Sequence, residues 1–301
     1  MAVHTLDLNF LGLERTIAVF VVEGPKGLAL VETGPHSTFE HLVGLIREQG
    51  WSPSDFREVF LSHIHFDHAG AAWAWAQAGA RVYVHPAGLP HLARPDKLYQ
   101  SARRIYGDDM DRLWGAMEPI PERQLYAPAH GETIAAVGWL FRAWHTPGHA
   151  VHHIAWELSA PEMEPLVFTG DVAGVCIDGR YVAPPCPPPD IQIEDWLASI
   201  RLLRSLPAKD LYLTHFGVVK DKEAHLDRLE KRLLVWADWL KPYAERGVEA
   251  EEVIPDFVAF VRREMAAEGV DVPIADRYEA ANPAFMSVAG LLRYWKKKLS
   301  V

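Results

Sequence analysis

The stretch 61-LSHIHFDHAG-70 places three histidines and an aspartate within six residues, between an apolar run and an alanine-rich segment. Imidazole and carboxylate are borderline to hard ligands. Together they suit zinc, iron or manganese and do not call for sulfur. At the end of an extended strand, residues two apart project to the same side, so His63 and His65 can grip one ion. If the chain then turns into a helix, Asp67 and His68 are aimed away from that direction and can grip a second ion nearby. Asp67 alone would serve as a helix N-cap, but four such residues exceed what a cap needs. The spacing therefore offers two half-sites rather than one crowded site.

Two half-sites need further ligands. Three candidates lie far along the chain: His149 in 145-HTPGHAVHH-153, Asp171 in 167-VFTGDV-172 and His215 in 211-LYLTHFG-217. Each follows an apolar strand-like run and sits beside a glycine or a turn, where a rigid scaffold presents functional groups. His152 and His153 are either partners that orient a ligand or strand residues facing solvent and core. His85, His91, His130, His145 and His225 read as structural, as do Trp73 and Trp75, which at i,i+2 cannot share one helix face.

Around the ligand-rich turn the pattern is that of a layered α/β domain. Strands are expected at 3–9, 15–22, 28–32, 57–62 and 81–85, with helices over 38–49 and 69–79 between them. From about 86 to 127 the strand pattern stops. Segment 96–117 is helical in character and reads as an insert, a lid or wall. Strands resume at 132–137, 139–145, 152–158 and 165–170, neighbours able to pair as a meander. After the proline-rich 183-APPCPPPD-190 come a helix at 193–206 and a strand at 211–214. Leu226, Leu229, Leu233, Trp236 and Leu240 then recur at helical spacing. Helices over 220–247, 249–268 and 284–299 complete the chain. The expected organisation is a first domain at 1–219 and a helical C-terminal domain at 220–301.

The bulk numbers agree with a globular enzyme-sized chain. It has 301 residues, 49% hydrophobic and 23% charged, with a formal net charge of -10. That charge repels polyanions at long range. The basic segments 101-SARRIYG-107 and 295-WKKKLSV-301 read first as solvated helix faces. Cys176 and Cys186 have no metal-ligand spacing and imply no disulfide framework, which suits a cytoplasmic location. The N-terminal 24 residues lack the basic start of a signal peptide. No apolar run is long enough for a membrane span.

The motifs HxHxDH at 63–68, TPGH at 146–149, TGD at 169–171 and THFG at 214–217 resemble the ordered motifs of the metallo-β-lactamase superfamily. The resemblance runs over about residues 15–217. It implies a four-layer αββα sandwich with the site along one edge of the paired sheets. It also implies a role for each matching position. His63, His65 and His149 would hold a first metal, Asp67, His68 and His215 a second, and Asp171 would bridge them. The strand-turn 31-VETGPHS-37 resembles the family's first motif, with Glu32 where relatives usually have a structural Asp. The implied cofactor is two divalent metal ions, zinc first, with iron or manganese as alternatives.

The chemistry implied is hydrolysis. Two divalent ions about 3.5–4 Å apart can share one water and lower its pKa toward ~7. The bridging hydroxide would attack, Asp67 would orient it, and the metals would polarise the scissile group. A small thioester or carboxylic ester is the expected substrate, by similarity to the glyoxalase II branch. The helical tail is similar to that of β-lactamase-like protein 2 hydrolases. One alternative is a nuclease or phosphodiesterase, with segments 101–107 and 293–298 as phosphate contacts. Another is an iron-dependent oxidoreductase.

Overall fold

The computed structural model describes residues 2–300. Its core is a pair of six-stranded sheets. The first runs in sequence order: β1 (Ala2–Asp7), β2 (Ala18–Gly24), β3 (Gly27–Val31), β4 (Phe56–Phe60), β5 (Arg81–Tyr83) and β6 (Leu125–Tyr126). Strands β1 to β3 are antiparallel; β3 to β6 are parallel. Parallel neighbours need crossovers. Here α1 (Phe39–Glu48) supplies the first, and α2 (Phe66–Ala69) with α3 (Ala72–Gln77) the second. Three helices, α4 (Leu89–Ala93), α5 (Asp96–Tyr106) and α6 (Met110–Leu113), occupy the β5–β6 connection, the segment read as an insert.

The second sheet contains β7 (Thr133–Ala136), β8 (Trp139–His145), β9 (Ile154–Ser159) and β10 (Leu166–Phe168) as an antiparallel meander. After α7 (Ile193–Ser205), β11 (Asp210–Leu213) joins β10 in parallel, and β12 (Gly217–Val219) closes the edge. The chain ends in α8 (Lys222–Glu245), α9 (Ala250–Ala267), α10 (Val272–Ala281) and α11 (Ala284–Leu299). The sequence reading did not include β6, β12 or α10. It also took 96–117 as continuously helical, whereas the helix breaks at Gly107, whose φ is 54°.

Strand β2 shows why this layering forms. Its residues 18-AVFVV-22 are all buried, as expected of a strand covered on both faces. Side chains alternate between faces. Ala18, Phe20 and Val22 meet the second sheet, while Val19 and Val21 join Leu42, Ile46 and Trp75 beneath α1 and α3. Between the sheets, Phe60 stacks on Phe141 at 4.0 Å and meets Trp156 edge-on at 4.9 Å. The outer face of the second sheet shares one continuous core with α7 and the C-terminal helices, including Val167, Leu211, Trp196 and Leu229. The result is an αββα sandwich with a C-terminal helical region. None of the described helices is long and apolar enough to cross a membrane.

Two cross-sheet hydrogen bonds fix the sandwich edge where the ligand-rich turn sits. The Trp156 indole donates to Leu61 O at 2.9 Å, and Ile154 N–H donates to Ser62 O at 2.7 Å. A third, from Ala18 N–H to Thr214 O at 2.7 Å, ties β2 to the end of β11.

Candidate metal centre

All seven sequence-derived candidates converge at this edge. Ligand atoms of His63, His65, His149 and Asp171 lie within 4.8 Å of one another, and so do those of Asp67, His68 and His215. Asp171 reaches both sets. One carboxylate oxygen is 3.3 Å from His68 Nε2 and 3.4 Å from His215 Nε2, and the other is 3.2 Å from His149 Nε2. The chain is extended at His65 and then enters α2, which carries Asp67 and His68.

Two motif glycines are required by space. A Cβ at Gly148 would sit 2.3 Å from the Trp196 backbone, and one at Gly170 would sit 2.4 Å from Ser62 Cβ; both residues have positive φ. Only glycine lets these loops approach so closely.

Four of the five imidazoles are oriented through their second nitrogen. His149 Nδ1–H donates to Pro185 O at 2.8 Å, and His215 Nδ1–H donates to Thr16 O at 2.6 Å. His68 Nδ1 lies 3.1 Å from Glu32 Oε1 and His63 Nδ1 lies 2.9 Å from Ser62 Oγ. A donor role at Nδ1 leaves the Nε2 lone pair free to face the centre.

Glu32, despite its extra methylene, reaches what lies beneath the site. It accepts from Ser62 N–H and Thr214 Oγ1, both at 3.2 Å, as well as contacting His68. It thereby joins the turn to the strand end carrying His215. His153 also belongs to this layer. Its Nε2 accepts the Asp171 backbone N–H at 3.2 Å and its Nδ1 meets Thr146 Oγ1 at 2.8 Å.

The donor set fits metal cations. His68 Nε2, His215 Nε2 and Asp171 Oδ1 are buried without a hydrogen-bond partner, an arrangement that is costly unless something fills it. His63 Nε2 and His65 Nδ1 face each other at 2.8 Å, with His149 Nε2 3.3 and 3.1 Å away. Burial, reinforced by neighbouring imidazoles, holds His63 well below its ordinary pKa and His65 down to about 3. Both are therefore neutral, with lone pairs available. Burial also disfavours a charge on His68, but Asp171, Asp67 and Glu32 more than offset it and push His68 well above its usual value. The carboxylates thus call for positive charge at the centre, which divalent ions satisfy.

The centre forms the floor of a cavity of about 930 Å³. Helix α5, Trp114, the proline loop and the α10–α11 junction supply its walls. His91, read from sequence as structural, and His152, read as either an orienting partner or a strand residue, both line it. His152 precedes β9, its Nδ1 is buried without a partner, and its Nε2 lies 3.9 Å from Asp190. Cys176 and Cys186 are buried and are not among the lining residues, although Pro185 and Pro187 on either side of Cys186 are. Of the tail lysines, Lys298 pairs with Glu194 at 2.6 Å and Lys296 with Glu249 at 3.6 Å, while Lys297 donates to Pro189 O, in the proline loop, at 3.2 Å.

The model of the metallo-β-lactamase superfamily matches residues 13–215. The chain belongs to that superfamily. It is 30% identical over 233 residues to a metallo-β-lactamase fold-containing protein, ST1585, of Sulfurisphaera tokodaii, covering 75% of this chain and 83% of that one. The crystal structure of ST1585 superposes with a TM-score of 0.62 at 24% identity, over 77% of this chain and 86% of that one. An atrochrysone carboxyl ACP thioesterase of Aspergillus fumigatus is 27% identical over 58% of this chain and 32% of its own. A hydroxyacylglutathione hydrolase of Pseudomonas paraeruginosa is 31% identical over 50% of this chain and 45% of its own. The matched regions thus span less than half of these last two relatives.

Proposed function

We propose that this member of the superfamily is a dinuclear metal-dependent hydrolase of an ester-like bond, with a thioester as its preferred substrate. The observation that carries the reading is the convergence of seven oriented His and Asp groups on the floor of a mostly apolar cavity. We assign His63, His65 and His149 to one ion, Asp67, His68 and His215 to a second, and Asp171 to both. Two divalent ions bound there, zinc first given a donor set without sulfur, would supply Lewis acidity and an activated water.

The chain's own groups do the rest. Asp67 is open to the cavity, with Oδ2 3.5 Å from His215 Nε2 and 3.7 Å from His68 Nε2. Burial opposes its ionisation, but His68 and His215 hold the carboxyl below its usual range. It is thus an anion able to orient the attacking water and accept its proton. The water oxygen adds to the acyl carbon and the carbon–sulfur bond breaks. The products are a carboxylate and a thiol, one proton going to sulfur and one leaving through Asp67. The relatives named as a thioesterase and a hydroxyacylglutathione hydrolase support this class of reaction. Among the cavity-lining residues, Lys97 is the only lysine or arginine, against the acids Asp109, Asp190 and Glu279. That lining favours a neutral ester over a polyanionic nucleic acid.

The test is a panel of thioesters, lactones, phosphodiesters and short RNA, run on protein of measured metal content. We expect about two ions per chain and thioester turnover that a chelator abolishes and added zinc restores. Fully metal-loaded, folded protein that cleaves RNA with a steep salt dependence but no ester would overturn the reading. An intense visible absorbance with one iron per chain would move it to the oxidoreductase alternative.

A further inference from the structure

We infer that the cavity above the metal centre is an acyl-binding chamber, selecting substrates with a long or bulky apolar acyl group over small acyl groups. The inference rests on the ester-hydrolase reading and concerns which ester is taken.

A cavity of about 930 Å³ lies at the upper end of the range that holds drug-sized molecules and far exceeds what an acetyl or lactoyl group fills. Much of its lining is hydrocarbon. Phe66, Tyr106 and Trp114 form an aromatic cluster, with ring centroids 6.1 Å apart for Phe66–Trp114 and 5.2 Å for Tyr106–Trp114. Leu11, Ile105 and Val151 line the same space yet remain 43%, 47% and 49% exposed. Large apolar side chains left uncovered around one concavity mark a binding surface. Leu11 is held there with φ at 56°, a left-handed backbone that a bulky residue adopts only under constraint.

Two segments distant in sequence meet at the chamber. Tyr106 at the end of α5 meets Phe285 at the start of α11, with ring centroids 6.5 Å apart. One lysine at the lining gives little purchase to a charged carrier. The hydrocarbon acyl portion, rather than the leaving thiol, therefore matches these walls.

The test varies the acyl chain from two to twelve carbons on one thiol, and then varies the thiol on an acetyl group, using zinc-loaded protein. We expect kcat/KM to rise two- to fourfold per acyl methylene until the chamber fills, in line with the gain per buried CH2, and to respond weakly to the thiol. Calorimetry supplies a readout independent of turnover. Dodecanoate should bind at least 100-fold more tightly than butyrate, with a negative heat-capacity change. Ala102→Phe, which would narrow the chamber, should lower the long-to-short ratio about tenfold. Ile105→Ser, at a half-exposed position that leaves the fold intact, should lower it several-fold without moving the melting temperature. Equal kcat/KM across acyl lengths, dependence on the thiol alone, or equal binding of the two carboxylates would overturn the inference while leaving the hydrolase reading standing. If no ester is turned over at all, that reading itself fails.

Discussion

The floor of the cavity and its walls are built by different means. The floor comes from short loops at strand ends of the sandwich. Its side chains are buried or nearly so, four of its five rings are oriented through a second atom, and motif glycines press the loops together. The walls come from additions to the sandwich: α4–α6 between two strands, and α10–α11 at the end of the chain. They are apolar, partly exposed and joined by an aromatic contact. The difference separates two tasks. Chemistry that needs sub-ångström placement sits on the sheets, while the choice of what reaches it is left to segments that can vary without disturbing them.

The sharpest way to break this division is to remove the carboxylate shared by both half-sites. Asp171→Ala takes away the group within 3.4 Å of His68, His149 and His215. We expect hydrolysis to fall by more than about 1,000-fold and metal content to drop to one ion or fewer per chain, measured by elemental analysis. A wall substitution such as Phe285→Ala should leave the metal content at two. If Phe285→Ala lost metal as well, floor and walls would be one unit.

A smaller effect should come from just beneath the floor. Glu32→Gln removes the charge facing His68 Nδ1 and leaves one acceptor oxygen where Ser62 N–H uses Oε2 and both Thr214 Oγ1 and His68 Nδ1 use Oε1. Loss of such an outer partner typically costs about 10–100-fold in metal affinity. Competition against a chelator should find the loss at one of the two ions, with the fold retained. Equal affinity for both ions in wild type and variant would show that Glu32 serves only to join the loops.

The two regions also differed in how far the sequence revealed them. The floor was legible because His63, His65, Asp67 and His68 are chemically unusual neighbours, and because the two-residue period of a strand end assigns them directions. His149, Asp171 and His215 stood at similar junctions. The walls were legible only as a segment: 96–117 read as an insert, a lid or wall, but its cavity-facing residues did not stand out, because Ile105, almost half exposed over the cavity, has the same helical spacing as Leu226, which is fully buried in the core. Apolar periodicity locates a helix face but does not distinguish a core from a chamber. Helix α10 is short, yet its start carried a signal: Asp271 caps it by accepting Ile274 N–H at 3.0 Å, with Pro273 in the first turn. Strands β6 and β12, two and three residues long, are too short for any pattern.

The smallest expected effect concerns how the wall is held. Tyr278 on α10 accepts the Ile177 N–H at 3.0 Å, and its hydroxyl lies 2.5 Å from Tyr181 O and 3.1 Å from Asp178 Oδ1. Ile177 and Tyr181 are buried in the segment that follows Asp171, so this one hydroxyl ties the last part of the wall to the loop leaving the floor. Tyr278→Phe preserves the ring and its packing on Tyr181 while leaving a buried N–H and C=O to find other partners. That should cost about 1–2 kcal/mol of stability, or a fall of roughly 2–4 °C in melting temperature. Because the metal-directed atoms are held by Thr16, Glu32, Ser62 and Pro185 instead, metal affinity should not change. A Tyr278→Phe protein of unaltered melting temperature but weakened metal binding would reverse the assignment, making α10 part of the floor's support rather than of the wall.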